Sequence, residues 1–368
     1  MAWETILFGI QGHMWSIIPS TIILLMYLPD LALIFGYSLV SLIVSFLIAK
    51  PFIGFLYKNK IGKQIRQEAS GGGEAPLFRA LHMKKEGTPT MGGILVIGTV
   101  FFMVLLSVVL SSLGYTNYSL FNRNETYLPL FTLAVCALLG GIDDWLNIIG
   151  SKNKGLRVQP KFWWLTAFAA FGAWWFYYKL GIDQVHVPYL GDFSIGAWYI
   201  PLFILVFIAS SHSVNITDGL DGLAAGLLIL AFSAFGVIAY FQGLLLLTTL
   251  IGVIVAALTS FLWYNIPPAK FFMGDVGSLA LGGTLGVIAM MTDSVLVLPI
   301  IGLVFVIETL SVIIQRASKK LRNGKKVFHI APIHHHFEHI GWPEQTVVMR
   351  FWIIGAAFGI VGLILALI

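Results

Sequence analysis

A single cysteine in 368 residues, Cys136, excludes a disulfide within the chain and any multi-thiolate metal site, so the chemistry must come from oxygen and nitrogen groups. Charge is scarce as well: Asp, Glu, Lys and Arg make up only 11% of the chain, against 58% hydrophobic residues. That balance leaves no room for a soluble domain or a long linker, and residues 1–368 read as one integral-membrane domain. A P-loop is missing, because the G-x-x-x-x-G-K-[ST] spacing is absent, and so is the basic n-region of a signal peptide.

What the sequence does have is apolar length, with a mean hydropathy of +0.89. About 20 apolar residues cross the hydrocarbon core as a helix. Ten uncharged runs reach or approach that length: 31–49, 90–113, 127–142, 162–178, 193–214, 222–241, 243–266, 276–292, 294–315 and 351–368. The expected fold is therefore an all-α integral membrane protein, a bundle of about ten transmembrane helices with active-site loops on the cytoplasmic side. An eleventh stretch, Thr5 to Pro29, carries Gly12, Pro19 and Pro29 and reads as an interfacial or re-entrant lead-in retained in the mature protein.

Eighteen of the 22 lysines and arginines fall in odd-numbered loops and two, Arg123 and Lys179, in even ones. The remaining two, Lys50 and Arg350, lie at span edges on the odd side. By the positive-inside rule the odd loops are cytoplasmic.

The polar motifs gather on that same side. GGIDDWLNI places Asp143 and Asp144 at the end of the third span, with Asn147 one turn further on. NITDGLDGLAAG spaces Asn215, Asp218 and Asp221 at i, i+3 and i+6, one face if the segment is helical. FFMGDVGSLALGG sets Asp275 between Gly274 and Gly277. Alone, Asp275 or Asp218 reads equally well as a helix cap. Five aspartates on one membrane face with few basic partners would repel one another, and a divalent cation with a bound polyanion would resolve that. Carboxylates with Asn and water suit Mg²⁺.

MKKEGTPTMGGILV adds Lys85, Thr88, Thr90, Gly92 and Gly93 as a phosphate cradle, with Lys84 read as a membrane-side anchor. The run FHIAPIHHHFEHIGWPE holds five of the nine histidines. His334, His335 and His336 are adjacent, so they cannot all point one way or form one metal site, and at least one reads as a hydrogen-bond donor to phosphate or sugar oxygens. His329 and His339 read as solvated. Together these features point to phosphoryl transfer between a soluble nucleotide donor and a phosphorylated lipid acceptor.

In this order HMKKEGTPTMGG, GGIDDWLN, VNITDGLDGLA, FMGDVGSLALGG, VIETLSVIIQ and APIHHHFE-x-x-GWPE closely resemble the phospho-N-acetylmuramoyl-pentapeptide transferases, a branch of the polyprenyl-phosphate N-acetylhexosamine-1-phosphate transferases. The likeness runs from about Ile48 to Trp352. It implies a multi-pass bacterial inner-membrane enzyme, usually a homodimer, with its active site facing the cytoplasm and no nucleic-acid partner. The implied reaction moves phospho-MurNAc-pentapeptide from UDP-MurNAc-pentapeptide to undecaprenyl phosphate, giving lipid I and UMP with Mg²⁺ as cofactor. By matching position it implies Asp275 as metal ligand, Asp143 and Asp144 near the acceptor phosphate, and Asp218 and His334 as further catalytic groups. Gly219, Leu220, Asp221, Asn265 and Phe272 would form the uridine pocket, with Lys85, Thr90, Asn215, His335 and His336 as further substrate contacts. The chain departs from the pattern at His212, where Asn is expected, and the role of Glu308 in the ninth span does not follow from the motif. A UDP-GlcNAc-dependent relative and an ion-coupled transporter are the rival readings.

Overall fold

The computed structural model describes residues 20–62, 85, 87–149 and 158–368. Lys84, the basic residues of 63–83 and 150–157, and the lead-in before Ser20 lie outside the described residues. From Ser20 the lead-in is no separate interfacial piece: α1 (Ser20–Lys58) is one 39-residue helix passing through both Pro29 and Pro51. A helix of that length reaches about 58 Å, beyond the hydrocarbon core. Proline is tolerated inside an apolar helix where neighbouring groups re-satisfy the freed backbone.

Helices α2 (Gly93–Ser112), α3 (Tyr127–Ile148) and α4 (Val158–Trp174) follow, the last running into a π-helical turn at Trp175–Lys179. Next come α5 (Tyr199–Thr217), α6 (Leu223–Phe241), α7 (Leu245–Asn265) and α8 (Gly274–Met291). The ninth predicted span is broken at Gly302 into a short α9 (Leu298–Ile301) and α10 (Leu303–Leu321). The chain closes with α11 (Ile333–His339) and α12 (Glu344–Ala366). Among the described residues eight helices are long and apolar enough to cross a membrane. The fourth and ninth predicted spans are helical but are not among these eight: α4 has only 17 residues, and α10 ends on Arg316, Lys319 and Lys320. The chain is an all-α, multi-pass membrane protein.

Hydropathy placed some helix ends wrongly. The fifth apolar run begins at residue 193, but 184–194 form a small antiparallel hairpin, β1 (Gln184–Val187) with β2 (Gly191–Ser194), paired from Gln184↔Ser194 to Val187↔Gly191. Conversely, α3 continues past residue 142 to Ile148, so that Asp143 and Asp144 ride on a helix.

The bundle is organised around α8, 89% of whose apolar window is buried, against 17% for α1. Small residues let the backbones approach. A Cβ on Gly93 would stand 2.3 Å from the Cα of Gly277, and one on Gly140 2.2 Å from the carbonyl oxygen of Asp275. The Gly140 contact presses α3 against the first turn of α8, so Gly140→Ala is expected to displace Asp275. We predict a loss of about 1–3 kcal/mol, the usual range for overpacking, with a larger fractional loss of activity than of folded protein. Melting in detergent beside a turnover assay checks this; unchanged melting and activity would mean the contact yields freely.

Candidate active site

Three helix ends meet at one end of the bundle: the last turns of α3 and α5 and the first turn of α8. Asp143, on α3, is fully buried and accepts from Asn147 Nδ2 at 3.1 Å, the pairing that their one-turn spacing suggested. Its neighbour Asp144 turns to α8, where Oδ2 accepts the backbone N–H of Val276 at 3.0 Å. An N–H in the first turn of a helix has no partner within that helix, so Asp144 caps α8 from another helix and favours its positive end. Asp275 sits on that turn, with Oδ1 accepting from Asn215 Nδ2 at 3.0 Å; the same amide reaches Ser278 Oγ at 2.8 Å.

The aspartates have more basic partners than the few expected: lysines pair with three of the five. Lys161, in the first turn of α4, places Nζ 2.6 Å from Asp143 Oδ2 and 2.6 Å from Asp275 Oδ2. A second cluster lies on the turn after α5. There Lys85 Nζ pairs with Asp221 Oδ1 at 2.6 Å and with Glu344 Oε1, at the start of α12, at 2.5 Å. Burial works to lower the Lys85 pKa, but the Asp221 and Glu344 carboxylates outweigh it and raise it, so the ammonium stays charged at neutral pH. Glu344 Oε1 also accepts the Asp221 N–H at 2.9 Å, and Asp221 Oδ2 accepts from Ala269 N at 3.0 Å.

The proposed common face of Asn215, Asp218 and Asp221 does not form. Helix α5 stops at Thr217; Asp218 is its C-cap, and the turn through Gly222, at φ +81°, leads directly into α6. Such a φ favours glycine, and the turn sends Asn215 to Asp275 but Asp221 to Lys85.

Of the expected uridine-pocket residues, Leu220, Asp221 and Asn265 are buried. Asn265 commits both ends of its amide to backbone, accepting from Gly222 N at 3.0 Å and donating to Phe271 O at 2.8 Å, so it shapes the turn. Phe272 is half-buried on the segment before α8. That segment is zippered to the 85–93 stretch: Phe272 N donates to Pro89 O at 2.7 Å, and Gly92 N to Phe272 O at 2.8 Å. Thr90 is buried, its hydroxyl has no hydrogen-bond partner among the described residues, and it lies with Asp144 over the Cα of Gly274.

The three adjacent histidines diverge as expected. His334 is fully buried, with Nδ1 2.9 Å from Oε2 of the equally buried Glu308, and its Nε2 lies against Gly219, where a Cβ would come within 2.3 Å. His335 pairs with Glu338 at 2.7 Å. His336 is not brought to the carboxylates: its Nδ1 accepts from His329 N at 3.3 Å and its ring stacks on that of His329. Burial, and then the nearby His329 and His339, hold its pKa below the ordinary histidine value. His212, the departure from the family pattern, faces the charges of Lys161 and Asp275.

Sequence reasoning missed Lys161, Glu344 and the partner of Glu308. In the sequence Lys161 only adds to the positive charge of its loop, and nothing marks Glu344 within GWPE. Among the described residues no three His, Cys, Asp or Glu side chains are grouped as a metal cage. The donors nevertheless fit Mg²⁺, which is usually held by one or two carboxylates plus substrate phosphates and water. Asp143 and Asp275 already converge on one cation, the Lys161 ammonium.

A helical membrane bundle with carboxylates and lysines gathered at one end is, by comparison, a transferase: residues 126–293 match the profile of glycosyl transferase family 4. Residues 85–97, the stretch zippered to α8, match signature 1 of the phospho-N-acetylmuramoyl-pentapeptide-transferases. The protein of that name from Chloroflexus aurantiacus (strain J-10-fl) is 38% identical over 353 residues, covering 92% of this chain and 91% of the relative. Those from Geobacillus sp. (strain WCH70) and Staphylococcus aureus (strain bovine RF122) are 40% and 38% identical, covering 88% and 90% of this chain and 95% and 98% of the relatives. The chain belongs to the phospho-N-acetylmuramoyl-pentapeptide-transferase family.

Proposed function

We propose that this protein transfers phospho-MurNAc-pentapeptide from UDP-MurNAc-pentapeptide to undecaprenyl phosphate, releasing UMP and forming lipid I. The observation that carries this reading is the junction of α3, α5 and α8, where Asp143, Asp144, Asp275, Asn215 and Lys161 meet beside the family-signature stretch. The basic odd loops support an inner-membrane enzyme with this end in the cytoplasm. The resemblance further implies a homodimer, which light scattering of the detergent complex would test.

The acceptor phosphate attacks the β-phosphorus of the donor, and the P–O bond to UMP breaks. A phosphate monoester has a second pKa of about 6, so at neutral pH the nucleophile needs little help from a base. Asp143 and Lys161 position and balance the acceptor's charge, while Lys85 and Asp221 hold the nucleotide end. Asp275, with Asp143 as a second oxygen donor, would hold a Mg²⁺ that supplies neutralisation of charge on the departing UMP. Direct attack is favoured over an aspartyl intermediate because Asp143 Oδ2 already accepts from Asn147 and would be shared with the Mg²⁺, which blunts it as a nucleophile. The ion-coupled transporter is disfavoured because these groups stand at helix ends rather than at mid-span.

The test is UMP release by the detergent-purified protein, given undecaprenyl phosphate, Mg²⁺ and either UDP-MurNAc-pentapeptide or UDP-GlcNAc, with and without EDTA. Metal-dependent UMP from the muramoyl donor alone is expected. UMP from UDP-GlcNAc instead would move the protein to the rival branch.

A further inference from the structure

Two carboxylates aimed at one point repel each other unless a cation or a shared proton lies between them. Asp143 and Asp275 come from different helices, and their Oδ2 atoms stand at the same 2.6 Å from a single ammonium. That arrangement is closed to solvent on the α3 side and open on the α8 side: the side chain of Asp143 is 1% exposed, that of Lys161 14% and that of Asp275 23%. Each acidic side chain has other donors that fix it, Asn147 for Asp143 and Asn215 for Asp275. Lys161 alone of the three reaches the site on a long flexible stem, and among the described residues its ammonium is held by these two carboxylates alone.

We propose that Lys161 is the resident counter-cation of the Asp143–Asp275 pair, that a divalent metal competes with it for the same carboxylate oxygens, and that the expelled ammonium then serves the acceptor phosphate. This rests on the reading of the site as a metal-assisted phosphoryl transferase and adds an order to it. Before metal arrives, Lys161 offsets one of the pair's two negative charges, which lowers the cost of burying the acids together. A divalent ion on those oxygens removes the reason for Lys161 to stay and places like charges side by side. The ammonium swings a few ångströms on its own stem toward the open side, where the dianionic acceptor phosphate needs a positive partner. Metal therefore binds before the acceptor is fully held.

Mn²⁺ is a suitable probe, since it takes hard oxygen ligands and its binding is read by electron paramagnetic resonance without turnover. Lys161→Ala removes the competitor, and the expected result is Mn²⁺ binding at least about tenfold tighter, roughly 1.4 kcal/mol, with a raised KM for undecaprenyl phosphate and little change in the donor KM. Lys161→Arg is expected to act oppositely, because a guanidinium fork grips two carboxylates at once; Mn²⁺ should bind no better than in the unaltered protein, or worse. If Lys161→Ala does not fold, the Arg variant decides: tighter Mn²⁺ there overturns the proposal. Unchanged or weaker Mn²⁺ binding by a folded Lys161→Ala, in a protein whose unaltered form binds Mn²⁺ and releases UMP, overturns it while leaving the functional reading intact. If the unaltered protein releases UMP but binds no Mn²⁺, the metal assignment falls and the proposal with it. The expected Mn²⁺ pattern without UMP release would sink the substrate reading alone.

Discussion

Asp275→Asn is expected to cut the rate of UMP formation by about 10³-fold while the protein stays folded. Asn preserves the shape of the side chain and can still accept from Asn215 Nδ2, the contact that ties α8 to α5. What disappears is the negative charge that faces Lys161 and would hold a metal against the donor pyrophosphate. Losing one preorganised electrostatic group typically costs about 10²–10³ in kcat, and a group that also anchors the cation belongs at the upper end. The structural cost is smaller, because Asp144 still caps Val276 N and Lys161 still has Asp143. Single-turnover UMP release together with detergent melting separates the two effects. A variant that keeps more than a tenth of the rate would remove Asp275 from the centre of the mechanism.

Glu308→Ala should give the largest loss of stability, about 3 kcal/mol or more. Glu308 and His334 are both fully buried and joined by a 2.9 Å hydrogen bond between α10 and α11. Removing one member of a buried pair leaves the other without a partner, which costs about 3–5 kcal/mol when the pair is charged and about 1–3 when it is neutral, to which the cavity adds. Glu308→Gln keeps an acceptor oxygen for Nδ1 and is expected to recover most of the loss. Because His334 rests on Gly219, in the turn that carries Asp221, the Ala variant should also raise the donor KM. Thermal denaturation of both variants checks this; Ala and Gln variants melting alike would mean the hydrogen bond matters little.

Glu308 illustrates how the two levels of information divide. A lone acid in an apolar run marks itself in the sequence as costly and in need of a partner, yet the partner is 26 residues away across a loop and no spacing rule names it. The same holds for the lysines. Positive-inside bias and catalysis both put Lys on the cytoplasmic side, so counting charges could not separate Lys161 from its neighbours. Expected and observed geometry parted at Asn215, Asp218 and Asp221 for a different reason: helical spacing was assumed where the chain turns, at Thr217, into a glycine-bearing loop.

The sequence by itself determined that the chain is helical and membrane-embedded, roughly where its apolar helices run, and which motifs stand at their ends. Hydropathy is a local property summed over about 20 residues, and motif identity needs no third dimension. Only the tertiary structure decided which cation meets which acid. Lys161 joins Asp143, 18 positions away, to Asp275, 114 positions away, and Lys85 meets Glu344 across 259. Those pairings depend on how closely the helices pack, and part of that is set by contacts such as Gly93 of α2 on Gly277 of α8 and Gly140 of α3 on Asp275, where the lack of a side chain lets two backbones touch.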